Sequence, residues 1–129
     1  MLNDPLANLM SKILNAERAG KKEIMLTPVS KIVRAVLEIL NANRYVGSAE
    51  ELTMRQGVAL RISLLGKVNK CGAIKPRHAV KKDDFEKFEK RFLPAKNVGI
   101  LIVSTQKGLK THGEAKELGL GGRLIAYCY

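Results

Sequence analysis

The chain has 129 residues, 46% of them hydrophobic, and a formal net charge of +11. That size suits one ordinary domain or two small lobes with a packed core, and it excludes wholesale disorder. No apolar run approaches the ~20 residues of a membrane-spanning helix, and a pI near 9.9 points to a polyanionic partner.

Asp4-Pro5 opens the first predicted helix, with Asp4 as N-cap and Pro5 at the first helical position. Leu6, Leu9, Met10, Ile13 and Leu14 recur at helical spacing and form one apolar stripe. Gly20 ends the pattern, and Lys21-Lys22 lead into a short strand, Glu23 to Leu26. Thr27-Pro28 repeats the cap-then-proline signal, with Ser30 as an alternative cap, for a second helix that carries Ile32, Val33, Val36, Leu37 and Leu40 on one side. Ser48 to Thr53 reads as a short acidic strand or turn. From Val58 to Leu65 the pattern alternates: Val58, Leu60, Ile62 and Leu64 face one way, Arg61 and Ser63 the other.

At Gly66 the character changes. Lys67, Lys70, Lys75, Arg77, Lys81 and Lys82 follow with no acidic residue among them, and Gly72 and Pro76 argue for extended, irregular chain. The expected organisation is therefore α+β in two lobes. Residues 1–66 form a helix–strand–helix–strand–strand lobe, and residues 67–129 a mostly β lobe. Charge divides the same way. Residues 1–64 hold nine Lys/Arg against six Asp/Glu, and residues 65–129 hold fourteen against six. No predicted helix pairs a bulky apolar face with a Lys/Arg-rich one, and no lipidation signal is visible, so nucleic acid is favoured over an anionic membrane.

Asp83-Asp84 are read as caps of a third helix, with Phe85, Phe88 and Phe92 on its core face and Pro94 ending it. An apolar strand follows over 99–103. Ser104-Thr105-Gln106-Lys107-Gly108 comes next and reads as a rigidly held polar loop. Thr111-His112-Gly113-Glu114 has capping-box spacing for a short helix that ends at Leu118, with Gly119 as a left-handed C-cap. Arg123 to Tyr129 is the last strand.

Catalytic signals are weak. Ser104 with His112 as its base lacks a Gly-x-Ser-x-Gly elbow and an obvious third member. His78 and His112 have no metal-ligand spacing to Cys71 and Cys128, and no cofactor is expected. The two cysteines lack CxxC spacing and suit a reduced, intracellular protein; a bridge between them stays open. No secretory signal is recognised, and a cytoplasmic location is expected.

Binding signals are stronger. Ser104 and Thr105 suit donation to phosphate or base acceptors. Gln106 suits a base edge or a ribose 2′-hydroxyl, Lys107 a phosphate, and Gly108 close backbone approach. A turn whose hydroxyls satisfy its own backbone is the competing reading. Phosphate contact by about five cations of the 67–82 stretch implies a log–log salt slope of about −3 to −5. The rings of Tyr127 and Tyr129 suit base stacking or core packing.

The 104–108 string, Glu114-Ala115 and Gly121-Gly122 together resemble small-subunit ribosomal protein number eight. So do the Asp4-Pro5 start, Leu26-Thr27-Pro28-x-Ser30-Lys31 and the closing Ala126-Tyr127-Cys128-Tyr129. The charged helix over 83–92 and Leu93-Pro94-Ala95 resemble the archaeal and eukaryotic branch. The resemblance implies a two-lobed, ribosome-bound primary rRNA-binding protein, without catalysis. It implies binding to an irregular central-domain stem of the small-subunit rRNA, assembly beside neighbouring small-subunit proteins and, in some members, repression through the protein's own mRNA. By the same resemblance the main contacts fall on Ser104, Thr105, Lys107 and Gly108, with further ones on Pro28, Ser30 and Lys31. Gln106 stands where bacterial members usually have serine. Arg123, after the pair Gly121-Gly122, stands where they have glutamate and suits a phosphate. An RNA-processing hydrolase using Ser104 and His112, or a basic protein–protein adaptor, is the alternative class.

Overall fold

The computed structural model describes residues 5–26, 30–55, 57–75, 77–81, 83–95 and 98–129. Asp4, Thr27, Pro28 and Lys82 lie outside them. The fold is α+β, and the chain divides into two compact units, Met1–Asn69 and Lys70–Tyr129.

The first unit runs α1 (Pro5–Arg18), β1 (Glu23–Leu26), α2 (Lys31–Ala42), β2 (Val46–Met54) and β3 (Gly57–Leu64). The strands form an antiparallel sheet in the order β1-β3-β2. Of the expected α1 stripe, Leu6, Leu9, Met10 and Ile13 are buried and Leu14 is half-buried. Leu26, Leu60, Ile62 and Leu64 are buried from the sheet. Val58 is 39% exposed instead of sharing that face, while its neighbour Ala59 is fully buried. Val58 is the second residue of β3, at the end next to the β2–β3 connection, where the sheet gives less cover.

Helix ends follow local chemistry. Ser30 caps α2, its hydroxyl accepting from the Val33 N–H at 3.3 Å. Helix α1 closes on Gly20 at φ +73°, with Lys21 N–H bonded back to Ala16 O and Gly20 N–H to Glu17 O. Helix α2 closes by the same pattern, but the left-handed residue is Arg44 at φ +62°. Arg61 lies between the Glu50 and Glu23 carboxylates, which raise its pKa further above an already high value, the Glu50 contact foremost. Arg34 of α2 meets Glu51 of β2 at 2.6 Å.

The second unit contains β4 (Cys71–Ala73), β5 (Ala79–Val80), α3 (Phe85–Phe92), β6 (Ile100–Thr105), β7 (Gly108–Thr111), α4 (His112–Leu118) and β8 (Gly122–Cys128). Its sheet is ordered β4-β8-β6-β7, with β5 also paired to β8. The stretch expected to be irregular thus supplies two short strands, because β8 offers a free edge to both. The register steps from Ile102↔Ala126 to Val103↔Leu124, a bulge at Ile125, and three consecutive residues, Leu124, Ile125 and Ala126, are buried around it. Phe85 is fully buried and Phe88 nearly so; such a ring is worth roughly 1.5–3 kcal/mol over exposure. Asp84 occupies the N-cap position of α3, but its side chain makes no cap hydrogen bond. Its backbone is near ψ 3°, outside the extended conformation that aims a cap side chain at the first turn.

Candidate nucleic-acid interface

The polar segment after β6 is a hairpin tip. Strand β6 continues through Ser104 and Thr105, the turn is Gln106-Lys107 alone, and Gly108 already pairs with Thr105. The expected five-residue loop is corrected to a two-residue turn. The missed strand is β7, whose Leu109-Lys110-Thr111 lacks the long apolar run that betrays a central strand. Gly108 sits at φ +99°, a conformation that disfavours any Cβ, and this fixes the turn.

Inside the tip the two hydroxyls have different work. Thr105 Oγ1 donates to Gly108 O at 2.7 Å and accepts from the Lys107 N–H at 3.2 Å. Its only proton is spent within the turn, so what Thr105 offers outward is an acceptor lone pair. Ser104 is exposed, and its hydroxyl has no partner among the described residues. Gln106 and Lys107 are exposed at the apex.

Strand β8 enters beside this tip. Arg123 pairs with Ser104, which also pairs with Leu109 on its other side. Gly122 is what permits that approach: a Cβ there would stand 2.1 Å from Ser104 O and 3.0 Å from Val103 Cγ1. Its role is therefore to let two backbones close, with Gly121 immediately before it. Strand β5 brings further cations, since Ala79 pairs with Arg123 and Val80 with Gly122. Arg77 and Lys81 bracket β5 and are exposed. One end of the sheet thus gathers Ser104, Gln106, Lys107, Arg123 and Lys81, with Arg77 two residues further in, level with Ile125.

Other expected residues lie elsewhere. Lys70 pairs through its backbone with Tyr129, at the far end of β8, about 20 Å of strand from Arg123. Lys75 follows Ile74, which bonds to Ile125 midway along β8. Ser30 and Lys31 begin α2 in the first unit; Ser30 has its acceptor engaged and its proton still to give. Pro28 lies outside the described residues. Tyr127 stacks between Phe92, at 5.8 Å, and Tyr129, at 6.3 Å, so these rings pack mainly on one another.

Behind the hairpin stands a polar cluster that sequence spacing did not reveal. His112 Nδ1 accepts from the Leu101 N–H at 3.1 Å, one residue beyond the last β6–β7 pair, so the ring extends the ladder as β7 turns into α4. Its Nε2 faces Glu89 Oε1 of α3 at 3.4 Å, and Lys116 of α4 contacts the same oxygen. Glu89 is 9% exposed. Burial lowers the His112 pKa, and the Lys116 ammonium adds to this while the Glu89 carboxylate opposes it. With both ring nitrogens engaged, His112 is not a free base for Ser104. Thr111 caps α4 as its spacing predicts, accepting from Glu114 N–H and donating to Glu114 Oε1, each at 3.2 Å, and α4 ends on Gly119 at φ +67°. The signal for the cluster is the register, which only the pairing supplies. Among the described residues no three His, Cys, Asp or Glu side chains gather as a metal site, and no helix is long and apolar enough to cross a membrane.

A sheet end that offers hydroxyl, amide and cationic groups together has the chemistry that suits a polyanion. The chain belongs to the ribosomal protein S8 family, whose model matches residues 4–129. It is a small-subunit ribosomal protein that binds rRNA, works on the ribosome beside other ribosomal proteins, and comes from a structural family, not one of enzymes.

Proposed function

We propose that this protein is a primary binder of an irregular central-domain stem of the small-subunit rRNA, and that it reads the stem with the β6–β7 tip and the entry of β8. The carrying observation is the gathering of Ser104, Gln106, Lys107 and Arg123 at one sheet end, held there by the Gly122 approach to Ser104. The N-terminal lobe, residues 1–66, adds contacts through Pro28, Ser30 and Lys31; the lobe from 67 onward carries the main site. Ser104 donates to a phosphate or base acceptor, and Thr105 accepts while it holds the turn. Gln106 meets a base edge or a 2′-hydroxyl. Lys107, Arg123, Arg77 and Lys81 neutralise phosphates, while Lys70 and Lys75 add general attraction from further along the lobe. Binding organises the rRNA early in assembly, without catalysis or cofactor, in the cytoplasm. A stem mimic in the protein's own mRNA would occupy the same tip.

The test is a filter-binding titration at moderate salt with the central-domain stem and with random duplex RNA. The stem is expected to bind far more tightly; equal affinity for the two would defeat the proposal. Ser104→Ala is expected to cost about 1–1.5 kcal/mol of specific binding, one hydrogen bond's worth.

A further inference from the structure

Cys71 and Cys128 are 57 positions apart in the chain but directly opposite each other in the β4–β8 ladder. The neighbouring pair, Lys70 and Tyr129, exchanges both backbone hydrogen bonds, at 2.9 and 2.8 Å. Ladder alternation then makes Cys71↔Cys128 a non-hydrogen-bonded pair, the closer of the two kinds, with Cα atoms about 4.5 Å apart. Disulfides span Cα separations of about 4.4–6.8 Å, so this register already supplies the backbone geometry of a bridge. Ile74 N–H bonding to Ile125 O, three residues on in the same register, fits that alternation. The two sulfurs are not joined in the structure, and both residues are buried, at 4% and 0% exposure.

We propose that Cys71 and Cys128 are a modification site: hydrogen peroxide converts them to an intramolecular cross-strand disulfide, and a dithiol reductant reverses it. Strand β4 has three residues and lies at the sheet edge, so it opens locally at far lower cost than the central strands. Opening admits the oxidant to Cys71 first. The Cys71 thiol gives up its proton, the thiolate attacks one peroxide oxygen, the O–O bond breaks, and a sulfenic acid and a hydroxide form, the hydroxide taking up that proton as water. The Cys128 sulfur then attacks the Cys71 sulfur, the S–O bond breaks, and a second water leaves. Two electrons pass from the two sulfurs to the peroxide, and both thiol protons end in water. The product pins β4, and with it the chain leading to Lys75 and Arg77, onto β8. It leaves the hairpin tip untouched, because Cys128 is five residues beyond Arg123.

The experiment exposes the purified, fully reduced chain to hydrogen peroxide under native conditions and follows intact mass, non-reducing peptide maps and melting temperature. The expected result is loss of about 2 Da, the two thiol hydrogens, and a peptide linking Cys71 to Cys128. A melting temperature raised by several degrees and restored by dithiothreitol is expected with it. The Cys71→Ala and Cys128→Ala variants should lose all three responses. Sulfinic acids without a linked peptide, or bridges only between separate chains, would overturn the proposal. Because the readouts involve no RNA, they succeed or fail independently of the rRNA-binding reading.

Discussion

The two sheets handle charge in opposite ways. In the first unit, Arg61 is held between Glu50 and Glu23, and Arg34 meets Glu51. In the second, Glu89 turns inward to His112 and Lys116. Lys107, Arg123, Arg77 and Lys81 have no carboxylate partner among those residues. The first sheet answers Arg61 internally, and the second leaves its tip cations unanswered among the described residues. Net charge alone could not have shown this, since it counts Arg61 and Arg123 alike.

The largest loss is expected at Gly122. Gly122→Ala sets a Cβ against backbone, which has no rotamer to escape into, so the second unit should lose about 3 kcal/mol or more in chemical denaturation, and stem binding should go with it. Gly72→Ala faces only the Tyr127 ring, at 3.1 Å, and should cost clearly less. Equal losses would mean that the β6–β8 closure is not what organises the tip.

Charge substitutions sharpen the contrast. Lys81→Ala or Arg123→Ala should weaken binding to all RNAs and reduce the magnitude of the salt slope by about 1. Arg61→Ala should leave both the affinity and the slope unchanged, because its charge is already answered within the sheet.

A pH titration of stability addresses the cluster behind the tip. The His112 pKa is lower folded than unfolded, so the unfolded chain binds the extra proton first. The His112 contribution should be complete above its ordinary value of about 6.5 and decline as pH falls from there through the lowered folded value. His112→Asn keeps an acceptor for the Leu101 N–H but does not titrate, and it should flatten that window. A smaller effect is expected at Arg44, which holds the left-handed position just past the end of α2 that glycine, as at Gly20, fills without strain. Arg44→Gly should stabilise the chain by about 1 kcal/mol in denaturant melts.

Much of the architecture was legible because it rests on local signals. The α1 stripe, the Thr111 capping box and the Gly119 stop are written within a few residues of where they act, and of the two caps the sequence offers for α2 the alternative, Ser30, is the one used. What stayed hidden depends on pairing across long separations. Strand β7 is short and half polar, and β4 and β5 exist because β8 lies beside them. The division of labour between Ser104 and Thr105, and the place of Lys70 at the wrong end of β8, likewise follow from register. Residue type identified the chemistry of the tip, and topology decided which of those groups meet.

NMR mapping of the amide signals of the isotope-labelled chain, while the central-domain stem is added, locates the recognition element. The largest perturbations should fall on Ser104–Gly108 and Gly122–Arg123, with a smaller set at Ser30–Lys31. Perturbations confined to the first unit, or centred on the Lys70–Tyr129 end of β8, would contradict the reading of the hairpin tip as the recognition element.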